Sequence, residues 1–212
     1  MGNPFGDIFG GLFGSRSVNA VVGVDIGGSF IKAVQLRKKG TKAALDTYGE
    51  IALGPLAGLE VGQATNLPPE KIAEAILALF KEAKITSRDI VFSLPLTSTL
   101  LLVIEMPDVG EEKLKEMIPF EARKYIPTSV EEVSLNWWIV PQLERTYVDP
   151  DEEERKKGAG PKVDVLIAAV HNDVLSRYQE IAQKIGASSA QRRSAGILRS
   201  RSSLIWVPQT RK

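Results

Sequence analysis

The sequence predicts an α/β protein built in two parts, and three observations carry that reading. Apolar runs of strand length alternate with stretches of helical periodicity from Val18 to Gly186. The first part opens on two apolar runs joined by Gly27-Gly28, the pattern of a tight hairpin. A second series of strands and helices starts near Pro95, after the first has already run β-β-β-α-β. The expected divisions are an extension over 1–17, a first unit over 18–95, a second, α+β unit over 96–187, and a tail over 188–212.

The extension carries Phe5, Ile8, Phe9, Leu12 and Phe13 at i, i+3, i+4, i+7 and i+8, one face of a helix. Five glycines in the same stretch oppose a stable helix, each by up to about 1 kcal/mol. Val18–Asp25 and Phe30–Leu36 follow as strands, and Ala43–Leu53 as a third. Residues 54–68, rich in Gly and Pro, form a loop. Pro68-Pro69-Glu70 opens a helix whose buried face is Ile72, Ile76, Leu79 and Phe80. Asp89–Leu94 is the fourth strand.

In the second unit, Thr99–Glu105 is an apolar strand and Asp108-Val-Gly-Glu111 has the form of a capping box. The helix it opens runs to about Tyr125, with Pro119 inside it as a kinking element. Glu132–Val140 and Lys162–Val170 are strands, separated by a charged loop over 144–162. Asn172 is placed to cap a helix with apolar positions Val174, Leu175, Tyr178, Ile181, Ala182 and Ile185, closed by Gly186. The tail keeps no periodicity and its composition predicts disorder.

Bulk properties narrow the function. The 212 residues are 43% hydrophobic and 25% charged, with net charge +1, so no global attraction to nucleic acid or acidic lipid is expected. The charge is uneven. Residues 188–212 hold six basic and no acidic side chains, while 1–187 hold 21 basic and 26 acidic. With no cysteine there is no disulfide or thiol chemistry, and the lone histidine, His171, has no catalytic constellation around it. No apolar run reaches the ~20 residues that span a bilayer, and no secretory signal is present, so a cytoplasmic protein is expected.

One stretch has the chemistry of a binding site. In Val22-Gly-Val-Asp25-Ile-Gly27-Gly28-Ser29-Phe-Ile-Lys32, a strand delivers Asp25 to a turn. Gly27 and Gly28 allow backbone N–H groups to approach a phosphate with no Cβ in the way. Ser29 adds a hydroxyl donor and Lys32 a cation, while Asp25 can hold a metal through a bound water. The same letters also suit an ordinary Gly-Gly hairpin.

Asp-x-Gly-Gly-Ser-x-x-Lys between two apolar strands resembles the first phosphate loop of the actin, sugar-kinase and Hsp70 superfamily. The resemblance implies a partial actin-like ATPase (ribonuclease H-like) subdomain over 18–95. That superfamily uses a second phosphate hairpin and an adenosine-binding Gly-Gly segment. Residues 95–212 contain neither, so hydrolysis by this chain, and tight binding of ATP, are not expected. A sugar-kinase reading is disfavoured by the missing cysteine-and-histidine motif of that family.

Phe120-Glu-Ala-Arg-Lys-Tyr-Ile-Pro127, followed by Val130-Glu-Glu-Val and by Trp137-Trp138, is similar to the PilM family of type IV pilus assembly proteins. There, as in the cell-division protein FtsA, a small inserted (SHS2-like) subdomain interrupts the actin-like one. The resemblance implies a scaffold at the inner face of the cytoplasmic membrane. It would bind ATP and Mg²⁺ in the full-length family and hold the N-terminal cytoplasmic segment of a PilN-like inner-membrane protein. Tyr125, Trp137 and Trp138 are the candidates for the partner groove, and self-association is a further expectation. An ATP-dependent enzyme of the superfamily and an FtsA-like membrane-tethered filament protein are the alternatives. The break in text near Gly186 reads as a frameshift or truncation of such a chain.

Overall fold

A computed structural model describes residues 20–140, 161–187, 197–199 and 204–206. The sequence expectations for residues 1–19, for the charged loop before Pro161 and for the remainder of the tail lie outside the described residues. The chain divides into two units. The first comprises the described residues up to Leu96 and those from Asp173 on; the second is Thr97–Asn172.

The first unit is built on a mixed sheet. Strands β1 (Ala20–Ile26), β2 (Phe30–Lys39) and β3 (Lys42–Ala52) form an antiparallel meander, and β4 (Ile90–Leu94) pairs parallel to β1. A parallel neighbour needs a crossover, which is supplied by helix α1 (Pro69–Glu82). Side chains alternate across each strand, so paired residues share a face. Val24, Ala33, Gly49 and Phe92 form one row on the helix-bearing face. Against it α1 buries Ile72, Ala73, Ala75, Ile76, Leu79 and Phe80, the face the apolar spacing predicts. Gly49 is what lets α1 come this close: a Cβ there would lie 2.9 Å from Leu79 Cδ1 and 3.1 Å from Ala83 Cβ.

Gln35 is the polar side chain buried on this face among the described residues, at 1% exposure. Its Oε1 accepts from the N–H groups of Thr86 and Ser87, both at 2.9 Å, and its Nε2 donates to Asp46 Oδ2 at 2.5 Å. A register shift at Gln35/Leu36 leaves Asp46 unpaired in the β2–β3 ladder and so available for this bond and for Arg37, 2.6 Å away.

The second unit has strands β5 (Thr99–Pro107), β6 (Val133–Ile139) and β7 (Lys162–His171) in the antiparallel order β5-β7-β6. Helix α2 (Glu111–Ala122) covers one face, with Leu114, Ile118 and Ala122 packed on Ile104, Met106, Val165, Ile167 and Ala169. The helix runs through Pro119 and ends three residues later.

Four expectations are corrected. Asp108 does not cap α2. The cap position is Gly110, whose φ of 85° is reached at little cost only by glycine, and the Asp108 N–H is instead spent on Pro161 O at 2.7 Å. Asn172 begins helix α3 (Asn172–Lys184), but its side chain reaches back to β6 and its lead-in, donating to Glu131 O and accepting from Ser134 Oγ, both at 2.8 Å. From Asp173 onward α3 belongs to the first unit, so the second ends at Asn172 rather than at 187. The reason is packing: Tyr178 of α3 meets Phe92 edge-on, ring centroids 5.7 Å apart, and Lys184 pairs with Glu70 of α1 at 3.1 Å. Last, the tail contributes two short strands, β8 (Ile197–Arg199) and β9 (Leu204–Trp206). Strand β9 pairs antiparallel with β4, giving the sheet order β3-β2-β1-β4-β9-β8. Among the described residues no helix is long and apolar enough to cross a membrane.

Candidate functional site

The β1–β2 hairpin brings Asp25, Gly27, Gly28, Ser29 and Lys32 together as the motif predicts. The turn is closed by the Gly27 N–H bonding Phe30 O at 2.9 Å. That bond removes one of the expected phosphate donors. The Gly28 and Ser29 N–H groups form no hydrogen bond among the described residues and are the donors that remain. Asp25 and Lys32 are direct cross-strand partners, which places carboxylate and ammonium stems side by side at the base of the turn.

The sheet face opposite α1 and α3 extends this pair into two rows. Strand register sets Ser93, Asp25, Lys32 and Glu50 in line across β4, β1, β2 and β3. Ser93 Oγ donates a hydrogen bond to Asp25 Oδ1, fixing the carboxylate against its parallel neighbour. The next row inward is Val91, Gly23, Val34 and Tyr48. Together the rows line a groove of about 640 Å³. Gly23 leaves a notch in the apolar row. On the helix-bearing side, burial first and the charge of Asp25 second push the Tyr178 hydroxyl up to about 12.

Ser93 and Glu50 carry no signal in the sequence as site residues. Ser93 looks like one polar position in an apolar strand, and only the parallel pairing of β4 with β1 puts it beside Asp25. Among the described residues no cluster of three or more His, Asp or Glu is arranged to hold a metal.

The partner-groove candidates in the second unit separate. Trp137 packs half-buried on the α2 core, and Trp138 points to the other face of the sheet, as adjacent strand residues must. Tyr125 lies exposed just beyond α2. Phe120, also exposed, carries the Arg123 guanidinium over its ring at 5.5 Å. The phrase Phe120–Pro127 therefore divides its roles, with Ala122 and Ile126 in the core and the aromatic pair on the surface.

Residues 23–190 match the family described as type IV pilus assembly protein PilM. The chain belongs to the PilM family. The match spans both units, from the strand that delivers Asp25 to the end of α3. Among solved structures, the chain is similar to the PilM–PilN type IV pilus biogenesis complex, with a TM-score of 0.60 and 25% identity over 78% of this chain. It spans 44% of the length of that relative. It also matches the cytoplasmic domain of EpsL, an inner-membrane component of the type II secretion system of Vibrio cholerae, at 15% identity and a TM-score of 0.46, covering 79% of this chain and 53% of that one. The mixed α/β architecture expected from the sequence is that of the PilM, actin-like fold.

Proposed function

We propose that this chain serves type IV pilus assembly as a scaffold at the inner face of the cytoplasmic membrane, holding the N-terminal cytoplasmic segment of a PilN-like inner-membrane protein. The observation that carries the reading is the family match running through both units, together with the likeness to a PilM–PilN complex. The exposed Tyr125 and the Trp138 face of the second unit are the surfaces we assign to the partner.

The hairpin is assigned to ATP with Mg²⁺ as its ligand. Its residues fit a phosphate group: two N–H donors without hydrogen-bond partners among the described residues, a hydroxyl at Ser29, and Lys32 beside Asp25. Bound nucleotide would bring the negative charge and the hydrated cation. Gly28, Ser29 and Lys32 would hold the phosphates, while Asp25, steadied by Ser93, would accept hydrogen bonds from the water shell of the ion. The role proposed for the hairpin is nucleotide binding.

Co-expression with a PilN-like protein tests the scaffold role. The chain should co-purify with the full partner and be lost when the partner's N-terminal cytoplasmic segment is deleted. Equal recovery with the deleted partner would refute the assignment.

A further inference from the structure

The loop between β3 and α1 is bonded to the hairpin at two points. Leu53 N–H donates to Ser29 O at 2.8 Å and Thr65 N–H to Gly28 O at 2.9 Å. Ala64 closes in from the same side, 3.6 Å from where a Cβ on Gly28 would sit. A peptide unit is planar and trans, so its N–H points opposite to its C=O. The Gly28–Ser29 peptide presents its oxygen to Thr65, and therefore presents the Ser29 N–H away from the loop. The loop thus fixes the direction of a donor it does not touch.

The loop is itself tightly wound. Leu59 N–H bonds Gly54 O at 2.9 Å, Gln63 N–H bonds Glu60 O at 3.2 Å, and Leu53 is buried to 1% exposure. Its winding depends on Gly54: a Cβ there would lie 2.1 Å from Glu60 O, a backbone atom that cannot swing aside. A residue with any side chain at 54 must open the loop between its two attachment points.

We propose that the Leu53–Thr65 loop is a positioning clamp for the phosphate hairpin. By occupying the carbonyls of Gly28 and Ser29 it holds the Ser29 N–H turned outward for an anionic polyphosphate. Gly54 and the Thr65 N–H are its determinants. The inference rests on the reading that the hairpin takes phosphate, and it adds the elements that preorganise it. Preorganised donors bind an anion more tightly because the cost of ordering them is met in folding. The sequence marks none of this, since the hairpin motif ends at Lys32 and the clamp begins 21 residues later.

The test is a titration of the ¹⁵N-labelled 212-residue chain with Mg·ATP, following the Gly28 and Ser29 amide resonances. The wild-type chain should show saturable shifts at both. Gly54→Ala and Thr65→Pro, the second removing the Thr65 N–H and directing a ring carbon at Gly28 O in its place, should each weaken binding about tenfold or more, the value of one hydrogen bond to a charged group. Gly40→Ala is the control. It strains a left-handed glycine (φ 63°) in the β2–β3 turn, remote from the clamp, where an added Cβ meets nothing within 4 Å, and should leave affinity unchanged. Thermal melting of each variant separates a lost clamp from a lost fold. Saturable wild-type shifts with undiminished affinity in folded Gly54→Ala and Thr65→Pro would overturn the clamp and leave the phosphate reading standing. No shift at Gly28 and Ser29 in the wild-type chain would overturn both.

Discussion

Replacing Gln35 by leucine tests how the first unit is held together. The side chains are similar in size, so packing against α1 is largely kept. What is lost is the Oε1 acceptor for two backbone N–H groups, Thr86 and Ser87, and the donor to Asp46. A buried donor left without a partner costs about 1–3 kcal/mol. Thr86 lies in an exposed turn where water can replace part of the loss, which puts the two together at the lower end, about 2–4 kcal/mol. Asp46 keeps Arg37 at 2.6 Å, so its carboxylate is not stranded. At roughly 2–4 °C per kcal/mol for a chain of this size, the melting temperature should fall by about 5–15 °C, read by far-UV circular dichroism. Gln35→Glu keeps an acceptor for the two N–H groups but sets a buried carboxylate against that of Asp46 in place of the amide donor, so it should fall at least as far at neutral pH. A leucine variant melting within about 2 °C of the wild type would refute the claim that this amide anchors the turn before β4.

Three further outcomes follow from particular contacts. Gly49→Ala should destabilise by about 1–3 kcal/mol, because its methyl meets Leu79 at 2.9 Å, and Leu79→Ala in the same chain should recover part of that loss; chemical denaturation of the single and double variants measures both. Tyr178, raised to about 12 mainly by burial, contributes stability that is fully present below its unfolded value of 10.0 and is lost as pH rises through the folded value, so stability should decline between about pH 10 and 12. A tyrosinate absorbance step near pH 12 should vanish in Tyr178→Phe. Thr65→Val should hold or raise the melting temperature, since the buried Thr65 hydroxyl makes no hydrogen bond among the described residues and its burial costs about 1–3 kcal/mol.

Much of the fold is legible because its signals are local. The apolar runs set β1, β2, β4 and β7, and the i, i+3, i+4, i+7 spacing set the buried faces of α1 and α3. What is not legible depends on distant pairing. The face of α3 could be read, but not which sheet it covers, because Leu175, Tyr178 and Ile181 would suit either. The Asp108 sequence has the letters of a cap, yet Gly110 takes that position because the chain leaves β5 bonded to Pro161 across the unit. At the site, the hairpin residues were readable from their spacing. Ser93 and the Leu53–Thr65 attachment were not, because the first needs the parallel register of β4 and the second a loop returning to the hairpin from beyond β3.

The central claim is that this member of the PilM family holds a PilN-like segment. Fluorescence anisotropy of a labelled peptide, carrying the N-terminal cytoplasmic sequence of such a membrane partner, measures it directly when titrated with the chain. The account predicts saturable micromolar binding that is weakened by Trp138→Ala or Tyr125→Ala, and not by Gly40→Ala, where an added Cβ meets nothing within 4 Å. Anisotropy that does not saturate, or that rises equally with a scrambled peptide, would contradict it.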